Sequence, residues 1–255
     1  MEFVDTHCHL QFDKLAKNLD QVTKDAAGAD VTRLICVGTT LDDSQKAIDI
    51  AARHDNVWAT IGVHPHDGKD FFEQKDPESR FKALLTMPKV VAVGEIGLDF
   101  YKNYSPKADQ EKLLRLQIEI GASTGLPFVF HVRDAWIDFW RIYDSYPKMR
   151  GVIHSFSANP KELEEALSRG LYVALNGIMT FTSDSAQLEA AKKVPKGKLL
   201  LETDAPFLAP SQHRGKVCEP KHIRDIAQFL VDLRGEQIEE MAAYTTENAQ
   251  KLFNI

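Results

Sequence analysis

Short apolar runs alternate with longer amphipathic stretches along the chain, and this alternation constrains the fold more than any other feature of the sequence. Eight of the runs have the length and the β-branched character of buried strands. They span 3–7, 31–38, 56–63, 90–97, 127–132, 151–156, 171–177 and 198–204. Helical periodicity lies between or after them, near 19–29, 42–54, 78–86, 108–124, 134–146, 160–169, 184–193 and 220–233. Near-continuous apolar strands are typical of a parallel sheet covered on both faces.

Eight strand–helix units within 255 residues match the size of a (β/α)8 barrel, which takes about 250 residues. An open doubly wound sheet also alternates, but a glycine-rich turn usually follows its first strand, and "THCHLQFDK" is not such a turn. We therefore predict an α/β fold, a (β/α)8 TIM barrel, in which residues 1–255 form a single domain. Segment 235–255 is predicted to add C-terminal extra helices.

Composition narrows the class of protein. A net charge of −6 gives no general electrostatic reason to coat nucleic acid, although bound cations would change the sign of a local site. The three cysteines, Cys8, Cys36 and Cys218, are far apart and form no CxxC motif, which argues against a disulfide framework. No apolar run approaches 18 residues, and the first residues lack the basic stretch followed by an apolar stretch that is typical of a signal peptide, so neither a membrane span nor a signal peptide is expected. We expect a cytoplasmic protein with no membrane contact and no obligatory protein partner.

Polar side chains gather where the predicted strands end, which is where a (β/α)8 barrel carries its catalytic groups. These positions hold His7, His9, His64, His66, Glu95, His131, His154, Glu202 and Asp204. Imidazoles and carboxylates without a thiolate suit Zn, Mn, Co or, with more water ligands, Mg. Four of these histidines and two of these carboxylates already exceed what one ion needs, whereas two ions about 3.5–4 Å apart would use them all. The pattern therefore predicts a two-metal site.

The opening stretch "FVDTHCHL" places three of these polar groups on one strand face. Side chains alternate along a strand, so Asp5, His7 and His9 point the same way. The two histidines can bind one cation, while Asp5 lies one layer deeper. Asp5 either accepts a hydrogen bond from a histidine N–H or forms a buried salt bridge. Cys8 points to the opposite face and is predicted to pack as a small hydrophobic residue.

Seven stretches occur in a fixed order: "DTHCHL", "GVHPHD", "VAVGEIGLDFY", "PFVFHVRDA", "GVIHSFS", "LLLETDAPFLAP" and "HRGK…EP". On these stretches the sequence resembles the TatD family of metal-dependent deoxyribonucleases, within the amidohydrolase superfamily. The resemblance covers essentially the whole chain. One position departs from it, because similar family members often carry Asn near the position of Cys218. The fine structure of the loop around residues 213–218 is therefore left open.

The resemblance implies a metal-dependent deoxyribonuclease with two divalent cations per subunit, Mg, Mn or Zn. It implies that the first cation binds His7, His9 and Asp204, that the second binds His131 and His154, and that Glu95 bridges them. The implied reaction is hydrolysis of DNA phosphodiester bonds by a hydroxide between the two metals, as a 3′–5′ exonuclease on single-stranded or frayed ends. Asp204 is expected to orient the attacking water and to take its proton.

Other residues carry weaker expectations. His64 either contacts the phosphate or protonates the leaving oxygen, or it is a structural histidine. The expected DNA contacts are His66, Arg133, Arg214 and Lys216, although Arg133 could equally pair with a nearby carboxylate. Asp99 is expected to hold a neighbouring loop. Five aromatic residues follow strand ends and either stack on unpaired bases or belong to the core: Phe100, Tyr101, Tyr104, Phe156 and Phe207.

Two other functions use the same pattern. An amidohydrolase-type enzyme could cleave a small amide, lactone or phosphoester with the same metal ligands, in which case a closed apolar pocket should replace basic and aromatic loops. A non-catalytic barrel that binds a partner would be expected to lack some of the ligands, and here all six positions are filled.

Overall fold

The computed structural model describes residues 1–102 and 104–255. Strands and helices alternate along the chain, as the periodicity predicts. The strands are β1 (Phe3–Cys8), β2 (Val31–Val37), β3 (Val57–Ile61), β4 (Val90–Asp99), β5 (Phe128–Arg133), β6 (Gly151–Ile153), β7 (Tyr172–Leu175) and β8 (Leu199–Leu201). The helices are α1 (Asp13–Ala16), α2 (Leu19–Gly28), α3 (Leu41–Ala51), α4 (Gly68–Glu73), α5 (Pro77–Leu85), α6 (Lys107–Ala122), α7 (Trp136–Tyr143), α8 (Pro160–Ser168), α9 (Ser185–Lys193), α10 (Ile223–Arg234) and α11 (Ile238–Phe253).

The eight strands form one sheet, in which their order follows the order of the chain. The strand pairs β1–β2, β3–β4, β4–β5, β5–β6 and β7–β8 are parallel. At least one helix separates each strand from the next, which is the topology of a (β/α)8 TIM barrel. The predicted fold class is therefore confirmed. Helix α11 follows the eighth unit and is the C-terminal extra helix.

Backbone contacts divide the chain into two compact units, residues 1–36 with 155–255 and residues 37–154. The single domain expected over 1–255 stays a prediction. In the first unit, β1 is joined to the end of β8 and to the segment that follows it. The Thr6 hydroxyl donates to the Leu201 carbonyl at 2.9 Å, and the His9 N–H donates to the Ala205 carbonyl at 2.7 Å. These bonds hold the end of β1 against the loop that carries Asp204.

In the second unit, two buried glutamines of α6 hold the ends of neighbouring strands. The Gln117 side chain pairs with both backbone groups of Val63, at 2.8 and 3.0 Å, directly before His64. The Gln110 side chain pairs in the same way with the N–H and carbonyl of Asp99, at 2.9 and 3.0 Å. Each glutamine forms hydrogen bonds with the N–H and the carbonyl of one residue at or just after the end of a strand. Helix α6 therefore fixes the backbone from which the next side chains project.

The strands β4 and β5 approach each other closely at Gly97. This residue has a φ of +153°, and a Cβ there would lie 1.8 Å from the His131 carbonyl oxygen. A larger residue at position 97 would push β5 away from β4, and His131 with it.

Two strands end earlier than the apolar pattern predicts. Strands β6 and β8 end at Ile153 and Leu201, three residues before the predicted boundaries. The backbone then turns, with positive φ values of 48° at Ser155 and 57° at Asp204. A φ near +50° at a residue other than glycine lies in the left-handed region and is incompatible with a continuing strand, so the apolar and β-branched residues there do not extend the sheet. Among residues 1–102 and 104–255, none of the helices is both long and hydrophobic enough to cross a bilayer.

Candidate active site

The first unit brings together His7, His9 and Asp204, which we call the His7 cluster. His7 Nε2 lies 3.7 Å and His9 Nε2 lies 3.3 Å from Asp204 Oδ1. Both imidazoles are almost fully buried. The His9 ring stacks on Phe12, with centroids 4.7 Å apart and planes 10° apart, which fixes its orientation. Two imidazole nitrogens and a carboxylate oxygen thus converge on one point.

The donor atoms of the His7 cluster fit a divalent cation. Two ligands at about 2.1 Å from a tetrahedral ion lie about 3.4 Å apart, close to the spacing of these atoms. Cys8 does not contribute a donor, because its thiol points to the Ile35 carbonyl at 3.4 Å. Burial also raises the pKa of the Cys8 thiol well above its usual value, which disfavours a thiolate. The assignment of these three residues as metal ligands stays a prediction.

Asp5 holds the backbone beside the His7 cluster rather than a histidine ring. Its carboxylate accepts hydrogen bonds from the Thr203 N–H at 2.9 Å, the Thr203 hydroxyl at 2.6 Å and the His7 N–H at 3.2 Å. The histidine N–H that bonds to Asp5 is therefore the backbone N–H of His7 rather than a ring N–H. Burial raises the pKa of Asp5 to about 8. Asp5 therefore fixes the loop that precedes Asp204.

The second unit brings together Glu95, His131, His154 and His64, which we call the Glu95 cluster. Glu95 Oε1 lies 2.7 Å from His131 Nδ1, 2.8 Å from His154 Nε2 and 3.6 Å from His64 Nε2. Burial alone would raise the pKa of Glu95, but His154, His64 and the hydrogen bonds from His131 hold it well below its usual range. The carboxylate is therefore ionised and available as a metal ligand.

Asp99 lies behind the Glu95 cluster and orients His131. Asp99 Oδ2 is 3.1 Å from His131 Nε2, which leaves Nδ1 facing Glu95. The same oxygen is 3.1 Å from His66 Nε2. Its other oxygen accepts the N–H groups of Tyr101 and Lys102, so the expected role in holding a loop is confirmed. Sequence reasoning missed the contact with His131, because the two residues are separated by 32 positions.

We expect Asp99→Asn to weaken divalent-metal binding about 10- to 100-fold, the usual effect of losing a carboxylate that orients a metal-bound histidine. Asparagine keeps an oxygen for the backbone N–H groups of the loop but loses the charge that faces His131. Titration calorimetry with Mn²⁺ or Zn²⁺ checks this, with the exposed Asp70→Asn as the control. Equal affinities in both variants would show that Asp99 only supports the loop.

His64 is set up as a hydrogen-bond donor. Its Nδ1 accepts the N–H of His66 at 3.1 Å, so the neutral ring carries its proton on Nε2, toward Glu95. Burial lowers the pKa of His64 well below its usual value, which keeps the ring neutral. A neutral Nε2–H can donate to a phosphoryl or leaving oxygen but cannot bind a metal through the same atom. Its catalytic role stays a prediction.

The basic residues expected to contact DNA lie in both units. In the second unit, the Arg133 guanidinium lies 3.9 Å from the centroid of the Tyr101 ring rather than beside a carboxylate. In the first unit, Arg214 lies 4.1 Å from the centroid of the Phe181 ring, and Lys216 is exposed. The roles of these residues and of His66 toward DNA stay predictions.

The loop 213–218 is anchored to α10. His213 Nε2 lies 3.0 Å from Asp225 Oδ2, and the His213 ring stacks on His222 with centroids 4.3 Å apart. His222 Nδ1 accepts the Glu219 N–H at 3.0 Å, in a capping box at the start of the turn before α10. At Cys218, the position where the sequence departs from the resemblance, the side chain is fully buried.

The buried His222 should make stability depend on pH. Burial and the neighbouring His213 lower its pKa from 6.5 to about 4. The unfolded chain therefore binds a proton below pH 6.5 that the folded chain does not bind until about pH 4. The contribution of neutral His222 to the free energy of unfolding is fully present above pH 6.5. It falls by up to about 3 kcal/mol as the pH approaches 4.

We expect His222→Gln to remove this part of the pH dependence, since glutamine can accept the Glu219 N–H without titrating. Urea unfolding of both proteins at several pH values between 7 and 4 measures the difference. The half-buried His54→Gln serves as the control. A wild-type curve parallel to that of His222→Gln over this range would contradict the assignment.

Comparison with known proteins places the chain in a family. The profile of TatD related DNase matches residues 4–254. Metal-dependent hydrolase YcfH of Escherichia coli K12 is 36% identical over 260 residues, covering 100% of this chain and 97% of that protein. The 3′-5′ ssDNA/RNA exonuclease TatD of Citrobacter rodentium is 36% identical over 258 residues, covering 98% and 97%. The crystal structure of the TatD homologue YjjV of Escherichia coli K12 superposes with a TM-score of 0.91 at 27% identity, covering 99% and 98%. The chain belongs to the TatD family and is a metal-dependent hydrolase.

Proposed function

We propose that this protein is a deoxyribonuclease that removes nucleotides from the 3′ ends of single-stranded or frayed DNA. The observation that carries the proposal is the Glu95 cluster, in which one ionised carboxylate oxygen meets three imidazoles. The name of the relative from Citrobacter rodentium, a 3′-5′ ssDNA/RNA exonuclease, supports the substrate class. RNA is therefore an alternative substrate that the same experiment should include.

We propose two divalent cations per subunit, Mg, Mn or Zn. The first would be held by His7, His9 and Asp204. The second would be held by His131 and His154, with Glu95 as the bridging ligand. The donor chemistry of each cluster and the family pattern support this assignment. Bound divalent cations would lower the pKa of a water ligand and neutralise charge that develops on the phosphoryl oxygens.

The chain's own side chains would supply the remaining chemistry. Asp204 would accept the proton of the attacking water, because its carboxylate is the most exposed group of the His7 cluster. His64 would donate its Nε2–H to the phosphate or the leaving oxygen. His66, Arg133, Arg214 and Lys216 would hold the sugar–phosphate backbone, and the positive charges of Arg133, Arg214 and Lys216 would offset part of the net charge of −6 near the substrate.

A preference for single strands follows from the position of the ligands at strand ends. A phosphate reaches such a site more easily on a flexible strand than inside a duplex, and residues 1–102 and 104–255 form no long basic helix that could enter a major groove. The test is a time course of digestion with 5′-labelled single-stranded DNA, blunt duplex DNA and RNA, each with Mg²⁺, Mn²⁺ or Zn²⁺. We expect a ladder that shortens from the 3′ end of single strands. Metal-independent cutting after full chelation, or faster cutting within blunt duplex, would refute the proposal.

A further inference from the structure

An exposed aromatic and basic surface adjoins the Glu95 cluster in the second unit. It consists of Tyr101, Tyr104 and Arg133, and we call it the Tyr101 platform. Tyr101 and Tyr104 are 57% and 68% exposed, although tyrosine is a large side chain that usually buries much of its ring. Resting on the proposed function, we propose that the Tyr101 platform stacks an unpaired nucleobase of the substrate strand next to the cleaved phosphate.

Strand pairing places Tyr101 and Arg133 together. Asp99 and Arg133 are partners in the β4–β5 ladder, and the Phe100 N–H donates to the Arg133 carbonyl at 2.9 Å. The Arg133 guanidinium then covers the Tyr101 ring at 3.9 Å from its centroid. Unpaired bases stack on aromatic rings and on guanidinium planes, and both side chains of this pair are exposed.

The charge of Arg133 remains available to a ligand. Among the residues that the structure describes, no carboxylate forms an ion pair with Arg133. The Lys102 ammonium lies 5.4 Å from the centroid of the same Tyr101 ring. The exposed aromatic ring can stack a base, and the two cations beside it can face the negatively charged phosphate of the same nucleotide. A neutral apolar ligand would leave both charges without a partner.

Asp99 links the platform to the Glu95 cluster. One oxygen accepts the N–H groups of Tyr101 and Lys102, at 3.0 and 3.1 Å, and the other contacts His131. His66, also held by Asp99, lies edge-on to the Tyr104 ring with centroids 4.8 Å apart. A single buried carboxylate therefore sets the position of the platform relative to a candidate metal ligand. A base stacked on the Tyr101 platform would hold its own phosphate beside the Glu95 cluster.

The test separates base stacking from phosphodiester chemistry. Tyr101→Leu removes the aromatic face but keeps an apolar side chain, and Tyr101→Phe keeps the face. We measure kcat/KM on a single-stranded oligonucleotide, on the same oligonucleotide with an abasic residue near its 3′ end, and on bis(4-nitrophenyl) phosphate, which has no base. Fluorescence anisotropy with a labelled oligonucleotide in chelator reports binding without metal. Tyr146→Leu, three residues after the end of α7, is the control.

We expect Tyr101→Leu to lose at least about 5-fold in kcat/KM on the oligonucleotide and a similar factor in metal-free binding, since stacking contributes roughly 1–3 kcal/mol per base. Hydrolysis of the small diester should stay within about 2-fold, and Tyr101→Phe should behave as wild type. The abasic residue should slow the wild type but not Tyr101→Leu. Unchanged oligonucleotide cleavage by Tyr101→Leu, or an equal loss on the small diester, overturns the platform. A wild type that hydrolyses the small diester but no nucleic acid overturns the proposed function itself.

Discussion

Asp204→Asn, saturated with metal, is expected to lose at least about 10²-fold in turnover while it folds normally, within the range of general-base contributions. Asparagine tolerates the positive φ of 57° at this position, so the backbone of the loop should be retained. Its amide oxygen can still face a cation, but the amide cannot accept a proton from water. The variant therefore separates the role of Asp204 as a base from its role as a ligand.

The measurement is turnover across a metal titration, with bound metal counted at each point. His9→Gln is the matched comparison, because His9 shares the His7 cluster but has no proposed role in proton transfer. Concentrated metal should partly restore the rate of His9→Gln and should not restore that of Asp204→Asn. Recovery of Asp204→Asn to near the wild-type rate at full occupancy would reduce Asp204 to a ligand and leave the base unassigned.

Glu95→Gln is expected to lower turnover about 10³-fold, since charge stabilisation by a metal contributes several kcal/mol to the transition state. The substitution replaces the carboxylate whose oxygen contacts three imidazoles by a neutral amide, which is a weaker ligand for hard cations. We also expect the number of bound metal ions per chain to fall, because the proposed bridge is lost.

Metal content by elemental analysis and turnover at matched occupancy check this prediction. Glu73→Gln is the control, because Glu73 is an exposed glutamate of the same unit in α4. Full metal content together with full activity in Glu95→Gln would contradict the bridging role. A loss of metal content with activity retained would show that one ion suffices.

The fold could be predicted because it depends on a pattern that repeats. Strand-length apolar runs and helical periodicity depend on local side-chain character, and all eight strands lie within the predicted runs or one to two residues beyond them. The ends of β6 and β8 could not be predicted. Positive φ at Ser155 and Asp204 reflects tertiary contacts, such as the bond from the Asp204 N–H to the His7 carbonyl at 2.8 Å. Those contacts leave no trace in local composition.

The same distinction applies to the site. Histidines and carboxylates at strand ends could be identified by residue type, because few structural roles require so many of them. Gln110 and Gln117 could not, since a buried glutamine on a helix has the same residue type as a solvated one. The partners of Asp5 could be predicted only in part, for a related reason: the expected histidine N–H is that of the His7 backbone. Strand alternation gives the face on which Asp5 lies but not its partner, Thr203, which is 198 residues away.

That distance between Asp5 and Thr203 also determines when the His7 cluster can exist. The bonds that join β1 to the end of β8 and to the segment after it connect residues 195 to 198 positions apart, so almost the whole chain must be synthesised before these bonds can form. Contacts of such high sequence separation form late, because the entropy of closing a long loop opposes them until the intervening units are ordered. In a growing polypeptide on the ribosome, His7 and His9 would be without Asp204 throughout the synthesis of the first 200 residues. Binding of the proposed first cation by His7, His9 and Asp204 would therefore come at the end of folding. The rate of metal uptake by refolding protein would then report when the bonds between β1 and the end of β8 form.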